Sequence, residues 1–131
     1  MKITYITNAR IPTEKAHGYQ ICKMCEEFSE VGVDVELIVP TRKNNIKDSV
    51  FSYYNLKNNF RIRYIRFFDF LKLERYLSNK AFYFNCFLFL IKTFFIKIDK
   101  KSLIYTRDPE VVFACGVRGF KVVYEAHSFP D

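Results

Sequence analysis

The polar residues best suited to chemistry are concentrated in one connection near the start of the sequence. The stretch NARIPTEKAHGYQ, residues 8–20, carries Arg10, Lys15, His17 and Gly18 between a strand-like and a helix-like apolar run. A hairpin turn would be shorter, and an inert linker would not need a guanidinium, an imidazole and a glycine together. Basic side chains bind anions, so this connection is predicted to form one wall of a ligand crevice.

A regular alternation of strand and helix patterns predicts the elements that position this connection. Residues 2–7 are short, apolar and rich in β-branched side chains, which predicts a first strand. From Gly18 apolar residues recur with helical spacing until Gly32, which predicts an amphipathic helix between the two glycines. Residues 33–39 alternate apolar and polar types and predict a second strand that Pro40 stops.

The rest of the sequence continues this alternation. Asp108 and Pro109 are residue types favoured at the cap and at the first position of a helix. The pattern predicts a single Rossmann-like α/β domain over residues 1–131, with a doubly wound parallel sheet of about five strands in the order 3-2-1-4-5. A polar loop is predicted at residues 41–59, and a strand follows at 60–68. One or two helices are predicted at 72–97, and a strand at 102–106. A short helix at 109–116 and a last strand at 121–125 complete the pattern.

The predicted strand order places strands 1 and 4 side by side. Ligands of open α/β sheets bind beyond the carboxyl ends of the strands at such a switch point. The loops after strands 1, 4 and 5 therefore form the predicted crevice, and the first helix, expected to begin at Gly18, offers unpaired amides to a phosphate. These loops bring together Arg10, Lys15, His17, Gly18, Arg107 and His127.

The net charge of +7 favours an anionic partner, such as a nucleotide phosphate or an anionic membrane surface, over a merely solubilising role. Nucleic acid is not expected, because Arg61, Arg63 and Arg66 alternate along a predicted strand and no nucleic-acid-binding module is recognisable. A dinucleotide cofactor is not expected either. Its binding motif needs several glycines in the first connection, where Gly18 stands alone, and an acidic residue where Arg42 follows the second strand.

The cysteines indicate packing rather than a metal site. Cys22 and Cys25 form a C-x-x-C, but both lie on the apolar stripe of the first predicted helix, and no second pair follows. No secretory signal precedes the first strand, so the thiols are expected to be reduced in the cytoplasm. No metal is therefore expected.

The apolar run from Ala81 to Ile98 is the one candidate for membrane contact. Its longest uncharged stretch ends at Ile91 after eleven residues, before Lys92 and Lys97. A bilayer span needs about 20 residues, so the run is too short to cross. A buried helix is favoured, with an interfacial amphipathic helix as the alternative.

Three stretches resemble the amino-terminal domain of GT-B glycosyltransferases of the family 4 type, and together they cover about half of the chain. ARIPTEKAHGYQICKMCEEFSEVGVDVELIVP resembles the first loop, the first helix and the second strand of that family. LIYTRDPEVVFA is similar to its fourth strand and the helix that follows. KVVYEAHSFPD resembles its fifth strand and the acidic-x-His turn after it.

The resemblance implies a retaining, metal-independent transferase of cell-envelope polysaccharide synthesis that needs no cofactor. The donor would be a nucleoside diphosphate sugar, and the acceptor a glycan or a lipid-linked glycan. By position, His127 matches the catalytic histidine beside the transferred sugar, and Gly18 matches the turn that reaches the donor diphosphate. Arg107 and Glu125 match residues that line the cleft, and His17 matches less closely. The enzyme would be cytoplasmic, with peripheral contact at the inner face of the membrane as an option.

The sequence stops at Asp131, before the donor-binding domain of that family and its E-x7-E motif. We therefore expect a truncated frame, half of a split gene or a domain fragment that has no transfer activity alone. The alternative is a non-catalytic basic α/β module that binds an anionic partner or a membrane surface.

Overall fold

The structure is a computed structural model that describes residues 1–66 and 79–126. Strands and helices alternate along these ranges as the sequence predicts. The elements are β1 (Lys2–Ile6), α1 (Ala16–Glu30), β2 (Asp34–Pro40), α2 (Val50–Tyr53), β3 (Arg61–Ile65), α3 (Asn79–Phe95), β4 (Leu103–Thr106), α4 (Pro109–Val117) and β5 (Val122–Tyr124).

All five strands are parallel and lie in the order β3-β2-β1-β4-β5. Ile6 at the end of β1 lies opposite Ile38 of β2 and Thr106 of β4, so the carboxyl ends of the central strands lie side by side. The Thr106 hydroxyl donates a hydrogen bond of 2.7 Å to the Ile6 carbonyl. The predicted Rossmann-like α/β fold and its switch point between β1 and β4 are confirmed.

The first face of the sheet is covered by α1 and α2. The helical spacing of Ile21, Cys22 and Cys25 directs these side chains onto Leu37 and Val39 of β2, and all five are buried. The packing role predicted for the two cysteines is confirmed. Burial raises the pKa of the Cys22 thiol to about 12, so it stays protonated and unreactive at neutral pH.

The second face is covered by α3 and α4. Ile6 and Ile104 of the central strands pack with Phe89 of α3 and with Val111 and Cys115 of α4. None of these side chains is more than marginally accessible to solvent. Within residues 1–66 and 79–126, no helix combines the length and apolar character that crossing a bilayer requires.

Two predicted boundaries on the first face were wrong. The first helix begins at Ala16 rather than at Gly18, because Lys15 is the last residue with extended backbone and the helical turn closes directly after it. A short helix, α2, lies inside the predicted loop 41–59, and the Ser49 hydroxyl caps it by accepting a hydrogen bond of 3.1 Å from the Ser52 amide. This cap satisfies one of the amides that a helix start leaves unpaired.

Other boundaries moved by a residue or two. Pro40 is the last residue of β2 instead of the residue that stops it, and it lies opposite Ile65. At a strand end the missing amide of proline leaves the central ladder intact. The predicted strand at 60–68 and the predicted helix at 72–97 extend into residues 67–78, which lie outside the described residues.

Candidate functional site

Asn8 connects three loops through hydrogen bonds at the carboxyl edge of the sheet. Its backbone N–H donates a hydrogen bond of 2.8 Å to Oδ2 of Asp108, which follows β4. Its carbonyl and side-chain oxygens both accept hydrogen bonds from Nη2 of Arg42, which follows β2. The Asp108 amide donates to the Thr106 hydroxyl at 3.1 Å. The connections after β1, β2 and β4 therefore form one hydrogen-bonded frame.

Two clefts open beside this frame, and Arg107 and Gln20 line both of them. The first cleft has a volume of about 530 Å³. The second cleft has a volume of about 440 Å³. The other polar residues of the first cleft are Thr7, Asn8, His17, Asp108 and Glu110. The other residues of the second cleft are Tyr5, Tyr19, Lys23, Met24, Glu27 and Glu125.

Arg107 is held by contacts toward both clefts. Its Nη2 donates to Oε1 of Gln20 at 3.3 Å, and its Nε lies 3.8 Å from Oε2 of Glu125. The Tyr105 hydroxyl donates to the same carboxylate oxygen at 3.2 Å. Because the Arg107 side chain is only 11% exposed, its interaction with the Glu125 carboxylate is less screened than a surface ion pair. The structure thus brings together two of the residues predicted to line the crevice.

His17 lies in the first turn of α1 and lines the first cleft. The pKa of its imidazole is lowered from the ordinary value of 6.5, mainly because partial burial disfavours the charged form. The nearby cations Lys15 and Arg107 lower it further, and the Asp108 carboxylate opposes them. The ring is therefore neutral at pH 7, with one nitrogen that donates a hydrogen bond and one that accepts.

Gly18 is buried in the contact between α1 and the preceding loop. A Cβ at this position would overlap with Cγ2 of Thr13 and with the Tyr54 hydroxyl. The Gly18 amide donates a hydrogen bond of 3.2 Å to the Lys15 carbonyl. Gly18 therefore lies within the first turn of α1 and, contrary to expectation, does not begin the helix. Glycine is required at position 18 because the preceding loop and Tyr54 pack directly against the helix backbone.

Arg10 does not join His17 and Arg107. Its guanidinium donates to Oε2 of Glu14 at 2.6 Å and to the Thr13 hydroxyl at 3.3 Å. It lines a separate and smaller pocket of about 190 Å³ next to Arg42. The Arg10 guanidinium is paired with Glu14, four residues along the chain.

Of the remaining predicted site residues, His127 lies outside the described residues. Sequence reasoning missed Gln20 and Glu110. Gln20 follows His17 by three residues on α1, and this spacing alone places both on one helix face. Glu110 lies in the first turn of α4, where burial raises the pKa of its carboxyl. Neither residue belongs to a motif that would single it out.

The first cleft is suited to a polar, uncharged ligand that carries many hydroxyl groups. A neutral imidazole, an amide and two carboxylates offer both donors and acceptors, and a hydroxyl needs both. The cation of Arg107 can bind an anionic group at the boundary with the second cleft. In the described part of the chain, no three His, Cys, Asp or Glu side chains are grouped as metal ligands.

No protein-family model matches this sequence, and comparison with curated proteins and with solved structures gave no match either. The fold class is defined by the five-stranded parallel sheet itself.

Proposed function

We propose that this chain is the acceptor-side, amino-terminal portion of a retaining glycosyltransferase that transfers a sugar from a nucleoside diphosphate sugar to a glycan or lipid-linked acceptor. One observation supports the proposal most directly. The hydroxyl-binding groups of the first cleft lie at the switch point between β1 and β4, where parallel α/β sheets bind their ligands. The stretches that resemble family 4 GT-B enzymes supply these groups.

The acceptor is assigned to the first cleft. Asp108 and Glu110 provide carboxylate oxygens, and Gln20 provides an amide that both donates and accepts. The neutral His17 ring adds one donor and one acceptor without adding charge. These groups match the hydroxyls of a sugar ring better than they match a phosphate, because the two carboxylates would repel an anion.

Arg107 is assigned to the boundary between acceptor and donor. Negative charge develops on the diphosphate as it leaves the sugar, and a partly desolvated guanidinium stabilises such charge. The resemblance assigns most of the donor contacts to a second, carboxy-terminal domain, and it assigns the histidine beside the transferred sugar to His127. These two assignments come from the resemblance alone.

The proposal predicts where a sugar binds, so it can be tested by NMR with the chain as it is. Titration with a panel of monosaccharides and disaccharides should shift the amide signals of His17, Gln20 and Glu110, while signals on the opposite end of the sheet stay unchanged. Gln20→Ala should weaken this binding, and Val31→Gln, at an exposed position after α1, should leave it intact. Saccharides that perturb no residue of the first cleft would contradict the assignment of the acceptor.

Transfer itself is tested by adding a carboxy-terminal donor-binding domain of this enzyme class. The chain alone should release no nucleoside diphosphate from a panel of nucleotide sugars, whereas the combined protein should do so in the presence of a glycan acceptor. If neither preparation releases nucleoside diphosphate, and the chain binds only anionic vesicles or polyanions, the result would favour the non-catalytic basic module.

A further inference from the structure

Helix α3 exposes an apolar stripe to solvent in addition to the face that it packs on the sheet. The side chains it buries include Asn85, Phe89 and Thr93, two of which are polar. The opposite stripe is apolar and exposed: Tyr83 and Phe87 are 71% and 55% exposed. An amphipathic helix at the surface of a soluble domain normally shows the reverse arrangement. An exposed stripe of this kind indicates contact with an apolar partner.

The stripe follows one face of α3 from Tyr83 to Phe95 and continues onto the neighbouring helix. Helix geometry places residues three or four apart side by side, so these side chains form one continuous surface. Phe94 of α3 and Phe113 of α4 have ring centroids 6.1 Å apart, which joins the two helices. We define the aromatic face as the exposed residues Tyr83, Phe84, Phe87, Ile91, Phe95, Phe113 and Val117.

Exposed lysines lie on α3 and in the segment that follows it. Residues 79–101 contain five lysines and a single acid, Asp99, so the segment carries a net charge of +4. Each lysine is exposed to solvent. Long lysine side chains can lay their stems on an apolar surface and extend the ammonium group to its rim. The lysines are Lys80, Lys92, Lys97, Lys100 and Lys101.

We propose that the aromatic face is a membrane-docking surface that lies in the interface of an anionic lipid bilayer without crossing it. The aromatic side chains would enter the boundary between headgroups and acyl chains, and the lysines would contact lipid phosphates. The positive charge of the lysines favours an anionic bilayer over a second copy of this chain as the partner of the aromatic face. Two identical faces would bring these lysines together, and such like-charge contacts oppose association.

This docking would also orient the first cleft. Cys86 lies on α3 between Tyr83 and Phe87, and it lines the first cleft. Helix α3, which carries the aromatic face, therefore also forms part of the wall of the first cleft. This inference rests on the exposed face of α3 and does not depend on the proposed sugar transfer.

The protein provides a clean optical test because it contains no tryptophan. Phe87→Trp places a single reporter in the aromatic face, and Val31→Trp places one at an exposed position after α1, which covers the opposite face of the sheet. With vesicles of phosphatidylcholine and phosphatidylglycerol, the emission of Phe87→Trp should shift to shorter wavelength and be quenched by brominated acyl chains. The emission of Val31→Trp should not change. No shift at position 87 would overturn the proposal.

Two further variants separate the apolar and the electrostatic contributions in vesicle co-sedimentation. Phe87→Gln combined with Ile91→Gln should lower partitioning to anionic vesicles by about tenfold or more, because each buried apolar side chain contributes strongly. Lys92→Glu combined with Lys97→Glu should weaken binding to anionic vesicles and hardly affect vesicles of phosphatidylcholine alone. All four side chains are exposed, so circular dichroism should report an unchanged fold.

The oligomeric state tests whether a second copy of this chain covers the aromatic face instead of a bilayer. Light scattering of the lipid-free protein should give a monomer. A stable dimer that dissociates in the Phe87→Gln, Ile91→Gln variant would show that a second copy covers the aromatic face, and it would overturn the membrane assignment. Unchanged vesicle binding by both double variants would overturn it as well.

Discussion

The carboxylate of Asp108 accepts a hydrogen bond of 2.8 Å from the backbone N–H of Asn8, and this contact joins the loop after β1 to the start of α4 across the switch point of the sheet. The sequence pattern assigns Asp108 to capping its own helix, and it does occupy the cap position. Its side chain, however, makes no hydrogen bond to the helix. The carboxylate contributes to the frame of the clefts instead.

Removing this carboxylate should loosen the frame. Asp108→Ala is expected to lower the free energy of unfolding by about 1.5 kcal/mol, since a partly buried amide loses a charged acceptor. Asp108→Asn keeps an oxygen at the same place and should cost less. Urea denaturation followed by circular dichroism measures both. Asp48→Ala, at an exposed position, is the matched control, and an equal loss there would argue against the contact.

The pKa of His17 should depend on the charged side chains around it. Its pKa in the folded protein is expected below 6.5, and Lys15→Ala should raise it, whereas Asp108→Asn should lower it further. The unfolded chain then binds a proton at a higher pH than the folded chain. This contribution to stability is therefore complete above pH 6.5 and declines as the pH falls below that value.

Two-dimensional NMR measures this titration directly. The protein has two histidines, so His17→Gln assigns the signals without ambiguity. A His17 midpoint at or above 6.5, or one that does not respond to Lys15→Ala, would show that the ring does not lie in the basic surroundings described.

Because Gly18 packs against Tyr54, substitutions at these two positions should have interdependent effects on the free energy of unfolding. The Tyr54 hydroxyl accepts from the Thr13 amide and donates to the Thr13 carbonyl, both at 2.7 Å, and so lies directly over Gly18. Gly18→Ala is expected to lower the free energy of unfolding by about 1–3 kcal/mol through overpacking.

A double-mutant cycle tests that explanation. In a Tyr54→Phe background, where the hydroxyl is gone, the cost of Gly18→Ala should be smaller. Additive losses would show that the hydroxyl does not restrict the position. Any loss of sugar transfer in Gly18 variants must be separated from this loss of stability before it is assigned to the diphosphate.

Thiol reactivity should distinguish the cysteines by burial. Cys22, Cys25 and Cys115 are fully buried, whereas Cys86 is partly exposed beside the first cleft. A thiol reagent should therefore label Cys86 first in the folded protein, and Cys86→Ser should remove that fast phase. Fast labelling that persists in Cys86→Ser would show that a core cysteine is accessible.

If the proposed function holds, a protein that combines this chain with a donor-binding domain should lose about 10²–10³ in kcat with Arg107→Gln, as expected when one group that stabilises developing charge is removed. His127→Ala should likewise lower kcat more than it changes the donor KM. Cys25→Ala should lower stability and leave kcat nearly unchanged. Full kcat in both site variants would place the active site elsewhere.

The sequence predicts the fold well because its strands and first helix carry strong periodic patterns. Ile21 and Cys25 recur with helical spacing, and the alternation in β2 matches its burial from Asp34 to Leu37, after which every residue of the strand is buried. The four-residue helix α2 was missed because so short an element shows no periodicity, and contacts with the rest of the fold stabilise it.

The site was only partly predictable, because contacts between distant residues decide its geometry. Thr13 and Tyr54, 41 residues apart, explain why Gly18 is a glycine, and no local pattern contains that information. Arg10 and His17 belong to the same connection and helix start, yet Arg10 pairs with Glu14 and lines a different pocket. Charge and residue type indicated where ligand chemistry is concentrated but not which side chains meet.

Because Arg107 lines both clefts, we expect ligand binding in one cleft to be thermodynamically linked to binding in the other. A ligand that draws its guanidinium away from Gln20 or Glu125 reshapes both clefts at once, because the same side chain borders each of them. Occupancy of one cleft then changes affinity in the other, and the effect must be equal in both directions. An anion in the second cleft and a neutral ligand in the first would thus report on each other's binding, and Arg107→Gln would uncouple them.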